Sequence, residues 1–196
     1  MKRLIIFASG AGSNAENIIR YFHENGTAQV VAVFSNKATA GVLQKAENHG
    51  VESIVFSKDE LNDGSVFEEV NNIKPDLIIL AGFLLKFPDD IIAAYPSKIV
   101  NIHPALLPKY GGKGMYGMNV HRAIVENRES ETGITIHYVD AHYDEGDIIF
   151  QQSIKLDGSE TCDEISEKVQ QLEHDHFPAV IERLLTSDPK PQTPNP

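Results

Sequence analysis

The feature that most constrains this chain is a rhythm. Short bursts that are apolar on both faces alternate with segments of about ten residues whose apolar positions recur at helical spacing. Leu4 to Ala8, Val30 to Phe34, Ser53 to Phe56, Asp76 to Ala81 and Lys98 to Ile102 read as strands. Between them Asn14 to Tyr21, Ala40 to His49, Val66 to Ile73 and Pro88 to Tyr95 read as helices. Gly50 closes the second helix, Pro75 stops the third, and Pro88 stands in the first turn of the fourth,. Strands apolar on both faces need cover on both faces. The rhythm therefore predicts an α/β fold, a doubly wound, Rossmann-like and mostly parallel sheet.

Past residue 100 the rhythm changes. Residues 103–117 hold four glycines, two prolines and two lysines, and a loop this long inside a compact domain is functional or mobile,. Val120 to Glu126 reads as a short helix. Gly133 to Val139 and Ile148 to Ile154 alternate as strands, and the eight residues between them suit an antiparallel pair,. The sheet should thus carry an antiparallel edge. Thr161 to Leu185 is a long last helix, with Pro178 as the place for a bend,. The length of 196 residues suits one domain, expected over residues 1–185,. The tail from Thr186 to Pro196 has four prolines and almost nothing apolar, so it is expected to be disordered,.

Charge and composition remove several function classes. A net charge of −11 argues against nucleic acid as the main partner,. Cys162 is the one cysteine, which excludes an internal disulfide and fits a reducing compartment,. No stretch reaches transmembrane length, and the apolar run after Met1 is too short for a leader,. The expectation is a soluble, cytoplasmic protein without membrane contact. His174 and His176 lie two apart on a helix and do not share a face, so no metal site is expected,.

Chemistry concentrates at Asn101-Ile102-His103-Pro104. Strand alternation sends Asn101 and His103 to the same side, and Pro104, lacking an N–H, ends the strand. An amide and an imidazole thus meet at a strand's carboxyl end, where open α/β sheets hold ligands. The alternative is a strand end whose polar groups satisfy local backbone. Ser9-Gly10-Ala11-Gly12-Ser13-Asn14 joins the first strand to the first helix, where free N–H groups and the helix dipole favour an anion,. It lacks the third glycine of the dinucleotide fingerprint, so a single phosphate suits it better than a pyrophosphate. It also reads as a tight turn closed by a capping box, Ser13-x-x-Glu16,. Asp144, in the acidic loop from Asp140 to Asp147, is either a partner for His103 or part of a solvated turn. His137 either lines the pocket or is a satisfied core histidine.

Taken together, Gly12-Ser13-Asn14, Val33-Phe34-Ser35-Asn36, Leu80-Ala81-Gly82-Phe83, the run from Asn101 to Tyr110, and Asp144 resemble the folate-dependent formyltransferases. The resemblance is to the glycinamide ribonucleotide transformylases, also called phosphoribosylglycinamide formyltransferases, and covers about residues 3 to 185. It implies formyl transfer from 10-formyltetrahydrofolate, a co-substrate, to the amine of glycinamide ribonucleotide in purine biosynthesis, without a metal. It implies Asn101, His103 and Asp144 as the catalytic set. By the same resemblance Gly12, Ser13 and Asn14 cradle the phosphate, and Glu173 contacts the ribose. The folate would lie against Leu84, Leu85, Lys86, Phe87, Asp140 and His142. Two departures stand out: Leu84-Leu85-Lys86-Phe87 lacks the family's arginine, and Gly111 to Met118 replaces a shorter Pro-Gly turn. Lys113 in that insert either adds a charge near the phosphate or belongs to a flexible lid. The alternatives are a formyltetrahydrofolate hydrolase, a formyltransferase acting on another amine, or a non-enzymatic phosphate sensor. The partners expected are small molecules, with the chain a monomer or homodimer.

Overall fold

The structure is a computed structural model and describes residues 1–186. Among them the elements run β1 (Lys2–Phe7), α1 (Ser13–Asn25), β2 (Ala28–Ser35), α2 (Gly41–Asn48), β3 (Glu52–Val55), α3 (Lys58–Asn62) and α4 (Ser65–Ile73). They continue as β4 (Leu77–Leu80), α5 (Asp89–Ala94), β5 (Ile99–His103), α6 (Met118–Glu126), β6 (Glu131–Tyr138), β7 (Ile148–Lys155) and α7 (Cys162–Thr186). One sheet takes the order β3-β2-β1-β4-β5-β6-β7. Pairing is parallel from β3 through β5 and antiparallel at β5/β6 and β6/β7. The doubly wound sheet with an antiparallel edge is therefore present.

Alternation along each strand divides the apolar residues into two layers. Leu4, Ile6, Val33, Ile79, Val100 and Ile102 pack with Ile18, Phe22, Val42, Ile124 and Phe177 from α1, α2, α6 and α7. Ile5, Phe7, Phe34, Ile78 and Ile99 pack with Leu61, Val66, Val70 and Ile91 from α3, α4 and α5. β1 and β4 are neighbours, and the connection leaving β1 runs to β2 on one side while the one leaving β4 runs to β5 on the other. That switch point opens a crevice at the ends of β1, β4 and β5,.

Three local expectations change. The same Ser-x-x-Glu pattern has opposite outcomes at α1 and α3. At α3, which the periodicity missed for its shortness, Ser57 and Glu60 form a complete capping box. At α1 the N-cap is Gly12, at φ 76°, with no side-chain cap. There Glu16 pairs instead with Lys45 at 2.6 Å, and Ser13 Oγ accepts from Gln170 Nε2 at 3.0 Å. Tertiary partners outcompeted the local box. Pro88 is the N-cap of α5 rather than its first helical residue. Thr186 belongs to α7, its hydroxyl donating to the Glu182 carbonyl at 3.1 Å; the rest of the tail expected to be disordered lies outside the described residues.

Pro178 sits buried inside α7. Lacking an N–H, it leaves the carbonyl four residues earlier without its helical donor. That carbonyl belongs to His174 and accepts Asn17 Nδ2 from α1 at 2.8 Å. The break in one helix thus becomes a tie between two.

Candidate active site

The crevice is a cleft of about 540 Å³. Gly12, Ser13 and Asn14 from the β1–α1 turn line it, with Leu84 after β4, Asn101 and His103 on β5, Asp144 after β6, and Glu173 on α7. Leu85, Lys86, Phe87, Asp140 and His142 instead line a smaller side pocket. The two share Phe83, Asn101, Tyr143 and Asp144. Asn101 and Asp144 therefore stand where two lobes meet.

At the junction the register of β5 and β6 sets the geometry. Asn101 is opposite His137 and His103 opposite Thr135, so these four side chains share a face,. His137 Nδ1 lies 2.8 Å from the carbonyl of Tyr138. A carbonyl only accepts, so Nδ1 carries the proton and the neutral ring presents a lone pair at Nε2. Asn101 Nδ2 donates to it at 3.1 Å, which fixes the amide's orientation and leaves its second N–H for the cleft. His137 thus lines the side pocket and orients Asn101.

His103 is 3% exposed. Its Nε2 lies 2.7 Å from the Tyr110 carbonyl, so by the same reasoning Nε2 donates and a second proton must enter at Nδ1,. Asp144 Oδ2 stands 3.6 Å from that Nδ1, while its Oδ1 is 3.7 Å from His137 Nε2 and Oδ2 accepts the Gly112 N–H at 2.8 Å. Asp144 lies beside both rings, with His103 as its partner, and is not a solvated turn. The Asp144 charge favours a protonated His103 without deciding its balance. Burial pushes the imidazole below its ordinary value, and the pull of Asp144 and the Tyr110 carbonyl does not overcome it,. For Asp144 itself burial would raise the carboxyl. The His103 charge and the Gly112 N–H outweigh that and hold it below the usual range.

Across the cleft Asn14 Nδ2 donates to Glu173 Oε2 at 2.8 Å, and Asn14 Oδ1 is buried without a hydrogen-bond partner. Burial pushes the Glu173 carboxyl up to about 7, against the lowering effect of Asn14. The α1 turn thus offers uncapped N–H groups beside a carboxyl that is easily neutral, a setting suited to an anion. Of the side-pocket residues, Phe87 is a core ring, 5.0 Å from Phe7 and 6.0 Å from Phe83. Lys86 pairs with Asp89 at 2.9 Å, and the His142 N–H is held by Asp140 at 2.8 Å.

Several residues escaped the sequence reading. Thr135 Oγ1 donates to the Ala105 carbonyl at 2.7 Å and accepts the Leu107 N–H at 3.0 Å and Gln151 Nε2 at 2.9 Å, clamping the chain beyond Pro104. Ser9 Oγ accepts the Leu84 N–H at 3.1 Å, linking the β1 and β4 ends of the cleft. His121 lines the cleft 4% exposed, with Nδ1 buried and without a hydrogen-bond partner; burial, and then the neighbouring His103 charge, lowers its pKa. Its position three before buried Ile124 on an amphipathic helix was the available signal. Among the described residues no group of three or more His, Cys, Asp or Glu is placed to hold a metal ion, and no helix is long and apolar enough to cross a membrane.

Comparison with known proteins adds an independent line. A family model described as formyl transferase matches residues 2–181. A chloroplastic phosphoribosylglycinamide formyltransferase of Vigna unguiculata is 36% identical over 93% of this chain, which spans only 61% of that relative's length. The phosphoribosylglycinamide formyltransferase of Bacillus subtilis is 35% identical, covering 94% of this chain and 95% of its own. Among solved structures, glycinamide ribonucleotide transformylase 1 from Geobacillus kaustophilus superposes with a TM-score of 0.85 at 33% identity, covering 94% of this chain and 99% of that one. With its fold and nearly its whole described length in agreement, this chain belongs to the formyl transferase family.

Proposed function

We propose that the chain transfers the formyl group of 10-formyltetrahydrofolate to the amine of glycinamide ribonucleotide, a step of purine biosynthesis, through the domain formed by residues 1–185. The observation that carries this reading is the meeting of two lobes at Asn101 and Asp144. One lobe begins at an uncapped helix turn suited to a phosphate, the other lies beside it, and the groups for acyl transfer stand between. The folate ring would occupy the side pocket along Leu85, Lys86, Phe87, Asp140 and His142, with Leu84 at its rim.

The amine attacks the formyl carbon, forming the new C–N bond and moving the carbonyl electron pair onto oxygen. Asn101 offers its free N–H to that oxyanion, and His103, once protonated at Nδ1, offers a second donor,. Asp144 favours that protonation across 3.6 Å and can accept the proton that the amine loses,. Collapse restores the carbonyl and breaks the bond to the folate nitrogen, which takes up a proton. Gly12, Ser13 and Asn14 hold the phosphate, and Glu173 with Asn14 holds the ribose hydroxyls.

The test is turnover of glycinamide ribonucleotide with 10-formyltetrahydrofolate in the presence of a chelator. Formylated ribonucleotide and tetrahydrofolate should appear in equal amounts. Release of formate from the folate without the amine would instead assign a hydrolase, and loss of turnover on chelation would overturn the metal-free reading.

A further inference from the structure

The cleft has an unbalanced charge inventory. Its lining includes the carboxyls of Asp144 and Glu173 and the rings of His103 and His121, but Lys113 is the only lysine or arginine side chain among the described residues that form it. The chain as a whole carries −11. A helix N-terminus offers about half a positive charge, whereas a phosphate monoester carries about −1.5 to −2 near neutral pH. The α1 turn therefore leaves most of such a charge uncompensated, with the Asp144 carboxylate in the same cleft.

Lys113 is free to supply the difference. Lys86, Lys109 and Lys168 are each engaged with a carboxylate at 2.9, 3.1 and 2.8 Å. Lys113 makes no hydrogen bond or ion pair among the described residues and is exposed. Its backbone lies between two tethers. On one side the Gly112 N–H donates to Asp144 Oδ2 at 2.8 Å, and on the other Asn119 Nδ2 donates to the Gly114 carbonyl at 3.1 Å. Gly112 and Gly114 flank it at φ 93° and 91°, with nothing within 4 Å of an added Cβ. The segment thus bends sharply on either side of the lysine while its ends stay anchored to the site.

We propose that Lys113 is a substrate-binding, specificity-determining residue whose ammonium completes the phosphate site begun by the Gly12–Asn14 turn. It makes the cleft select an acceptor that bears a phosphate over its dephosphorylated form. The selection of a ribonucleotide rests on the transferase reading, whereas the binding of a phosphate monoester does not.

Two arms test it. The first is calorimetric titration of wild type, Lys113→Gln and Lys113→Arg with ribose 5-phosphate. The glutamine variant should lose about tenfold in affinity, the effect of one charge-assisted contact, and arginine should retain most of it. The second compares KM for glycinamide ribonucleotide and for the dephosphorylated riboside. Lys113→Gln should raise the first about tenfold, leave the second unchanged and leave the KM of the folate unchanged. An equal loss for nucleotide and riboside would reduce Lys113 to part of a cover. A loss confined to the folate would make the folate's own carboxylates its target. Either result, or unaltered ribose 5-phosphate affinity, overturns the proposal. Lys113-dependent binding of ribose 5-phosphate by a protein with no transferase turnover would sink the transferase reading and leave this one standing.

Discussion

Asp144→Asn isolates the charge beside His103. Asp144 has φ 58°, a left-handed conformation that asparagine tolerates better than other replacements,. An asparagine carbonyl can still accept the Gly112 N–H, so the loop should keep its shape. What disappears is a unit charge 3.6 Å from Nδ1. At an effective dielectric of ~20 such a pair interacts by roughly 5 kcal/mol, an upper bound because the carboxylate is 12% exposed and part of its effect is screened,. A realistic shift is about one to two pKa units. Burial already holds the imidazole below its ordinary value, and losing Asp144 lowers it further. The protonated form is the donor, so kcat/KM should fall as pH rises through the histidine's pKa, and the variant should begin that fall at lower pH. At a pH above both values, one to two units remove about ten- to a hundredfold of the protonated fraction, and the rate with it. NMR titration of His103 in both proteins, with single-turnover rates across the same pH range, measures both quantities. A His103 titration that does not move would refute the electrostatic link, and unchanged turnover would remove Asp144 from the mechanism.

Glu173→Gln should change stability with a definite pH signature. Burial pushes the carboxyl up to about 7 in the fold from an ordinary 4.5, so the stabilising protonated form is progressively lost as pH rises through the folded value,. Glutamine mimics the protonated form, and urea unfolding should find its advantage over wild type larger at pH 8 than at pH 5 by about 2 kcal/mol; an equal gap at both would reject the shift. Gly12→Ala would place a Cβ 2.5 Å from Val42 Cβ at φ 76° and should destabilise by about 2 kcal/mol or more in thermal melts,. Gly10→Ala, with nothing within 4 Å, should stay within about 0.5 kcal/mol, and similar losses at both positions would contradict the packing account,. Asn17→Ala should cost about 1 kcal/mol by stranding the His174 carbonyl; in a Pro178→Ala background the helix can supply its own donor and the cost should shrink, a coupling that a double-mutant cycle reads directly,.

The sheet, its antiparallel edge and the shared face of Asn101 and His103 were legible in the sequence because each rests on local periodicity. A run apolar on both faces needs two covering layers whatever its neighbours, and a period of two aims alternate side chains together. The Ser-x-x-Glu motifs at α1 and α3 mark where local reading stops. Ser57 and Glu60 cap α3, whereas Lys45 and Gln170, from α2 and α7, draw Glu16 and Ser13 out of the same motif. The state of the site lies further beyond the sequence. That Asp144 lies beside both His103 and His137, that His121 enters the cleft, and that burial pushes the Glu173 carboxyl up to about 7 all depend on residues brought together across the fold. Sequence offered Asp144 as a partner for His103. Only the packing of β5 against β6 and the loops above them determined how far water is excluded, and desolvation there outweighs the nearby carboxylate,.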